Sequence, residues 1–212
     1  MKMQKELIVR AIKDIDIISN EVTEMLYQED VYQTRTKSLI EQKAIDHHSA
    51  RNIVKTHYNS MLVSVRRQVG TQKGEVSLLN LLNKLLKHNN LITKEWYAKE
   101  WLRDSSLFDS KQSKIIREFT QNIPIGEFEE YFGEHFLSKN IVKKDIESLK
   151  RATKTVKTFV DKRIAHTDKV SPNNVKEEEY LNSLKVIEKI ASKYILLLKQ
   201  VGMSELTPVI QD

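Results

Sequence analysis

The residues best suited to chemistry in this 212-residue chain are crowded into one turn, Asp161-Lys162-Arg163-Ile164-Ala165-His166, with Asp168 just beyond it. Arg163 and His166 stand at i and i+3, so they share a face if the helix continues through them. Histidine titrates near neutral pH and can take a proton from a hydroxyl, while the arginine fork can hold two phosphate oxygens. Cleavage of RNA by internal attack needs a proton acceptor for the 2′-hydroxyl and cations for the charge that builds on the phosphate oxygens, and it needs no metal. On that reading His166, Arg163 and Asp161 are the catalytic candidates, and Lys162, Arg66 and Arg67 are the RNA-binding ones. The same residues also have a structural use. Cations at a helix C-terminus satisfy its last carbonyls and its dipole, which would make the 161–168 turn a clasp in a non-catalytic helical interaction or dimerisation module.

A second Arg/His pair, Arg51 and His57, lies on another helical stretch, where His57 flanks the stripe Val54, Tyr58, Met61 and reads as a satisfied core histidine. His47 and His48 are adjacent and point in different directions, and Glu129, Glu130, Glu134 and His135 lack the spacing of a zinc-protease motif. No phosphate-binding glycine loop, dinucleotide motif or Ser/His/Asp signature is present, so neither a metal nor a cofactor is expected. Lys150, Lys154 and Lys157 form a basic stripe that leads toward the 161–166 turn and reads either as a solvated face or as a phosphate track.

These residues must be positioned by helices. Five glycines and three prolines are too few for the turns of a β-sandwich, and the 40% hydrophobic content falls at helical spacing, so an all-α chain of one domain over residues 1–212 is expected. The first helix is expected over Lys2 to Tyr27 on the stripe Leu7, Ala11, Ile15, Ile18, Val22, Met25, Leu26, followed by a polar segment from Gln28 to Lys43. A second helix is expected from Ala44 to Val69, with Val54, Tyr58, Met61, Leu62, Val65 and Val69 on its core face and Gly70 stopping it. Ser77 is a plausible N-cap for the leucine-rich stretch from Leu78 to Leu86, and Thr93 for a short helix carrying Trp96, Tyr97 and Trp101. Residues 103–142 read as short helices and loops, broken at Pro124, Gly126 and Gly133. A helix resumes near Lys143 with Ile146, Leu149, Ala152, Val156 and Phe159 inward and ends near His166; Arg163 continues that row, which predicts it on the buried face. The last helix is expected to start at an Asn174–Glu177 capping box, to run along Tyr180, Leu184, Ile187, Ala191, Tyr194, Leu198 and Val201, and to end at Gly202.

The absence of cysteine excludes disulfides and thiolate chemistry, and no apolar run approaches the roughly 18 residues that span a bilayer. The first residues lead straight into a charged amphipathic pattern, so a cytoplasmic protein is expected. Lysine and arginine exceed aspartate and glutamate by 35 − 29 = 6, a mild bias toward anionic partners.

At Asp161-Lys162-Arg163-Ile164-Ala165-His166-Thr167-Asp168 the chain resembles the Ala-His signature of the HEPN superfamily, in particular its abortive-infection AbiU-like branch. Val65-Arg66-Arg67-Gln68 ahead of Ser77-Leu78-Leu79-Asn80-Leu81-Leu82, then Lys193-Tyr194, then Leu206-Thr207-Pro208-Val209-Ile210-Gln211 follow in the order of that branch. The resemblance implies an up-and-down helical bundle with short extra helices in mid-chain, a homodimer, and RNA binding or metal-independent endoribonuclease activity in phage defence or a toxin–antitoxin system. RNA and an antitoxin or nucleotidyltransferase are the partners it implies. Members that cut RNA carry an arginine with four to six residues between it and the histidine; its counterparts here are Asp161, Val160 and Phe159. Arg51 and His57 do have that spacing, outside the signature.

Overall fold

The computed structural model describes residues 2–104, 114–164, 174–201 and 206, and among them the regular elements are all helices, with one isolated antiparallel bridge between Thr93 and Phe136. The helices are α1 Lys2–Val31, α2 Lys37–Glu41, α3 His47–Arg67, α4 Leu78–Lys87, α5 Lys94–Asp104, α6 Lys114–Tyr131, α7 Lys139–Phe159 and α8 Glu177–Lys199. Two π-helical turns interrupt the series, Tyr32–Thr36 after α1 and Val160–Ile164 after α7. No described helix is long and apolar enough to cross a membrane.

The apolar stripe of α1 is buried at Ile8, Ala11, Ile15, Ile18, Val22, Met25 and Leu26, and Ile8 takes the inner place expected for Leu7. The expected end of this helix at Tyr27 is corrected: helical backbone continues through the π turn and α2 to Glu41, so most of the Gln28–Lys43 segment is helix. Glu29 explains the continuation. It falls on the same stripe, is 7% exposed, and is held by hydrogen bonds from other helices, so a polar residue extends the buried face.

Asp46 caps α3, accepting from the backbone N–H groups of His48 and Ser49 at 3.0 Å each, so the helix starts at His47 and not at Ala44. Met61, Leu62 and Val65 are buried on it, while Val54, expected inward, is 39% exposed. Ser77 caps α4 by accepting from Asn80 N–H at 3.1 Å and donates to Gly70 O at 2.6 Å, closing the loop between α3 and α4. Leu78, Leu79, Leu81, Leu82 and Leu85 are buried, as a central helix requires.

The middle of the chain is more regular than expected, because α6 runs through Pro124 and Gly126. Proline in a helix interior forfeits one backbone hydrogen bond and clashes with the preceding turn. Packing offsets that cost: Phe128 and Phe132 lie 5.6 Å apart, with Tyr97 of α5 at 5.6 and 5.9 Å from them. Gly133 then turns the chain at φ +134°, where a Cβ would come within 2.7 Å of Phe136 O.

The helix near Lys143 begins earlier, at Lys139, and buries Val142, Ile146, Leu149, Thr153 and Val156. The start of α8 is corrected from Asn174 to Lys176, whose backbone N–H is accepted by the Glu179 carboxylate at 2.8 Å. Its C-cap is Gln200, left-handed at φ 54°, and Val201 is exposed; Gly202 lies outside the described residues. Helix α8 packs against α1, α3, α5 and α7, and one continuous apolar cluster draws on α1, α3, α4, α7 and α8.

Candidate functional site

Two polar clusters stand out, and α3 contributes to both. The first surrounds the π turn Val160–Ile164. Arg66 Nε, in the last turn of α3, donates to Asp161 Oδ1 at 2.6 Å, and Lys157 Nζ donates to Asp161 Oδ2 at 2.8 Å. Burial raises the Asp161 pKa, but the hydrogen bonds and charges of Lys157 and Arg66 outweigh it and hold the carboxyl below its ordinary range. Asp161 is therefore ionised at neutral pH, with both oxygens engaged.

Lys162 and Arg163 follow in the same turn, and both are exposed. The buried position expected for Arg163 is thus corrected. A π turn takes up an extra residue, so positions beyond it slip off the 149, 152, 156 row and rotate toward solvent. Lys150, Lys154 and Lys157 are also exposed on α7. At 1.5 Å per residue they form a basic row of roughly 10 Å that continues to Asp161, and Lys162 and Arg163 follow in the π turn.

Arg66 joins this cluster through Asp161, whereas Arg67 pairs with Glu21 of α1 at 2.5 Å. Arg66 and Arg67 therefore divide between two neighbours. His166, with Ala165, Thr167 and Asp168, lies outside the described residues.

The second cluster is centred on Glu29. His57 Nε2 lies 3.0 Å from Glu29 Oε2, Gln33 Nε2 donates to Oε1 at 2.7 Å, and the Tyr180 hydroxyl donates at 2.9 and 3.1 Å. Tyr32, the first residue of the other π turn, stacks on the His57 ring with centroids 4.0 Å apart and planes 10° from parallel. Burial raises the Glu29 pKa, and the bonds from His57, Gln33 and Tyr180 more than reverse it, so the carboxyl sits below its ordinary value. Burial, with the neighbouring Glu29 charge, drives the Tyr180 hydroxyl far up. The Tyr58 ring meets Tyr180 edge-on at 5.3 Å, and its hydroxyl bonds Val175 O.

His57 is thus held by a buried carboxylate on one helix and a tyrosine ring on a turn, as a satisfied histidine should be. Arg51 is exposed on the first turns of α3. Sequence reasoning overlooked Glu29 and Tyr32, and placed Tyr180 only on the core stripe of the last helix. A signal for Glu29 was present, since Val22, Met25, Leu26 and Glu29 keep the spacing of one buried stripe.

Among the described residues no group of three or more His, Cys, Asp or Glu side chains could hold a metal ion. No protein-family model, curated protein or solved structure matches the chain.

Proposed function

We propose that this chain is an HEPN-like RNA-binding protein or metal-independent endoribonuclease of a phage-defence or toxin–antitoxin system, an up-and-down helical bundle that works as a homodimer. The observation that supports the reading is the run of exposed cations at the end of α7, Lys150, Lys154 and Lys157 and then Lys162 and Arg163 in a turn fixed by Asp161 between Arg66 and Lys157. On this reading Lys162 and Arg163 hold phosphate, Arg66 and Arg67 add positive potential, and His166 takes the 2′-hydroxyl proton. Asp161, with both oxygens occupied, positions the turn.

The test is binding and cleavage of single-stranded RNA in the presence of a chelator. Wild type should bind at low salt, and His166→Ala should remain folded and bind but not cut. Wild type that neither binds nor cuts RNA at low salt defeats the proposal.

A second reading has its own observation. The Arg66–Asp161 ion pair ties α3 to the end of α7, which is what a structural clasp in a non-catalytic interaction module would do. There Asp161→Asn should lower thermal stability or change assembly while RNA is irrelevant. An Asp161→Asn protein of unchanged stability and mass counts against it.

A further inference from the structure

The excess of positive charge is not spread over the surface. Residues 139–163, which form α7 and the π turn after it, hold nine lysines and arginines against three acids. The rest of the chain then holds 35 − 9 = 26 cations and 29 − 3 = 26 acids, so it is balanced, and the whole formal charge of +6 sits on this helix and its turn. Charge confined to one element builds a field that draws an anionic partner to that face, whereas interleaved charges cancel.

Packing turns those cations outward. Val142, Ile146, Leu149, Thr153 and Val156 take the inner face of α7. Lys139, Lys143, Lys150, Lys154 and Lys157 are exposed at helical steps of four, seven, four and three, which is one straight row about 27 Å long. Lys144 and Arg151, also exposed and seven apart, make a second row beside it. Of the three acids, Asp145 accepts from Lys193 and Tyr194, and Asp161 from Arg66 and Lys157. Glu147 is the one that is fully on the surface. It falls between Lys143–Lys144 and Lys150–Arg151, so the cations stand in two groups with a carboxylate between them.

Two features of this face decide which form of nucleic acid it fits. A single strand is held largely by aromatic side chains on which its bases stack. Among the described residues, none of the exposed large hydrophobic side chains lies between 139 and 163, and Phe159, the one aromatic of the segment, packs against the core. A single strand laid along the row would also carry phosphates past Glu147. A duplex presents two strands with a groove between them, so each group of cations meets a phosphate backbone and the carboxylate lies over the groove. In the wide, shallow minor groove of A-form RNA it faces 2′-hydroxyls, which can donate to it.

We propose that α7 is a docking surface for double-stranded RNA, with Lys139, Lys143 and Lys144 on one strand, the cations from Lys150 to Lys157 on the other, and Glu147 over the minor groove. The proposal rests on the RNA reading and names its substrate class: a base-paired stem lies along α7, next to an unpaired stretch at the 161–166 turn.

The probes are a blunt RNA duplex of about 16 base pairs, an oligouridylate of the same length, and a DNA duplex of the same sequence, each followed by fluorescence anisotropy at low salt. The RNA duplex should bind about tenfold or more tightly than the oligouridylate, and more tightly than the DNA. The double variant Lys139→Ala/Lys143→Ala, at exposed positions, should keep the melting temperature and the affinity for oligouridylate. It should weaken the RNA duplex about tenfold or more and reduce the slope of log affinity against log salt by about 1.8, two lost duplex phosphate contacts. Oligouridylate bound as tightly as the RNA duplex overturns the proposal and leaves the RNA reading standing. A variant with unchanged duplex affinity and salt slope, or DNA bound as tightly as RNA, overturns it too. Binding of neither RNA defeats both the proposal and the reading on which it rests.

Discussion

Replacing Glu29 by alanine should be among the most damaging single changes to a polar residue in this protein. The carboxylate is 7% exposed, and its removal strands the Tyr180 hydroxyl, which is 2% exposed, and the His57 ring nitrogen on a side chain 14% exposed. Each stranded buried group costs about 1–3 kcal/mol, and partial access of water to His57 lowers its share, so Glu29→Ala should cost about 3 kcal/mol. In a protein of this size that corresponds to a fall of roughly 6–12 °C in melting temperature. Glu29→Gln keeps the shape and one acceptor and should cost about 1 kcal/mol; Tyr180→Phe should cost about the same. Urea unfolding followed by far-ultraviolet circular dichroism measures all three. The dependence on pH has a definite sign. Because the folded-state pKa of Glu29 is depressed, its stabilisation is present above the unfolded value of about 4.3 and is lost as pH falls through the folded value. The gap between wild type and Glu29→Gln should therefore be full at neutral pH and close in acid. A Glu29→Ala protein within about 0.5 kcal/mol of wild type would refute the network's role, as would a Gln gap that does not change with pH.

Leu82→Ala, at a site with 0% exposure in α4, should lose about 2–5 kcal/mol in the same unfolding assay. Ser77→Ala removes both the α4 N-cap and the bond to Gly70 O, and should lose about 1–2 kcal/mol, with Ser77→Thr recovering part of it. On the RNA reading, Lys162→Ala should reduce the slope of log affinity against log salt by about 0.7, as one lost phosphate contact does for a single strand. An unchanged slope in fluorescence anisotropy would remove Lys162 from the interface.

The helices were legible where burial is local and apolar. The leucine run after Ser77 could only be a buried capped helix, and the α1 stripe was readable almost to its last member. Legibility failed where a buried position is polar. Gln28 to Lys43 looks like a linker by composition, yet Glu29 continues the stripe because His57 and Tyr180, far along the chain, supply its hydrogen bonds. Pro124 and Gly126 looked like breakers because the opposing stack of Tyr97, Phe128 and Phe132 cannot be inferred from spacing. At the candidate site the cations were visible as residue types, but the contact between Arg66 and Asp161 spans 95 positions and has no local trace.

The two π turns explain why α3 matters to both polar clusters. Each takes up one more residue than an α turn, at some cost in hydrogen-bond geometry, and each is met by a side chain of α3: His57 stacked on Tyr32, and Arg66 bonded to Asp161. A regular helix would keep residue 163 on the row of Leu149 and Val156, where an arginine would be buried. With the turn, Arg163 and Lys162 both face solvent at the end of the lysine track. On the RNA reading Asp161 would serve binding without touching RNA, because the pair it makes with Arg66 helps keep the turn in the register that exposes the two cations. On the RNA reading Asp161→Asn should therefore weaken RNA binding and reduce the salt slope, since the two cations lose the register in which they meet phosphate. An unchanged slope would instead mean that the two cations keep their phosphate contacts and that Asp161 does not hold the register of the turn.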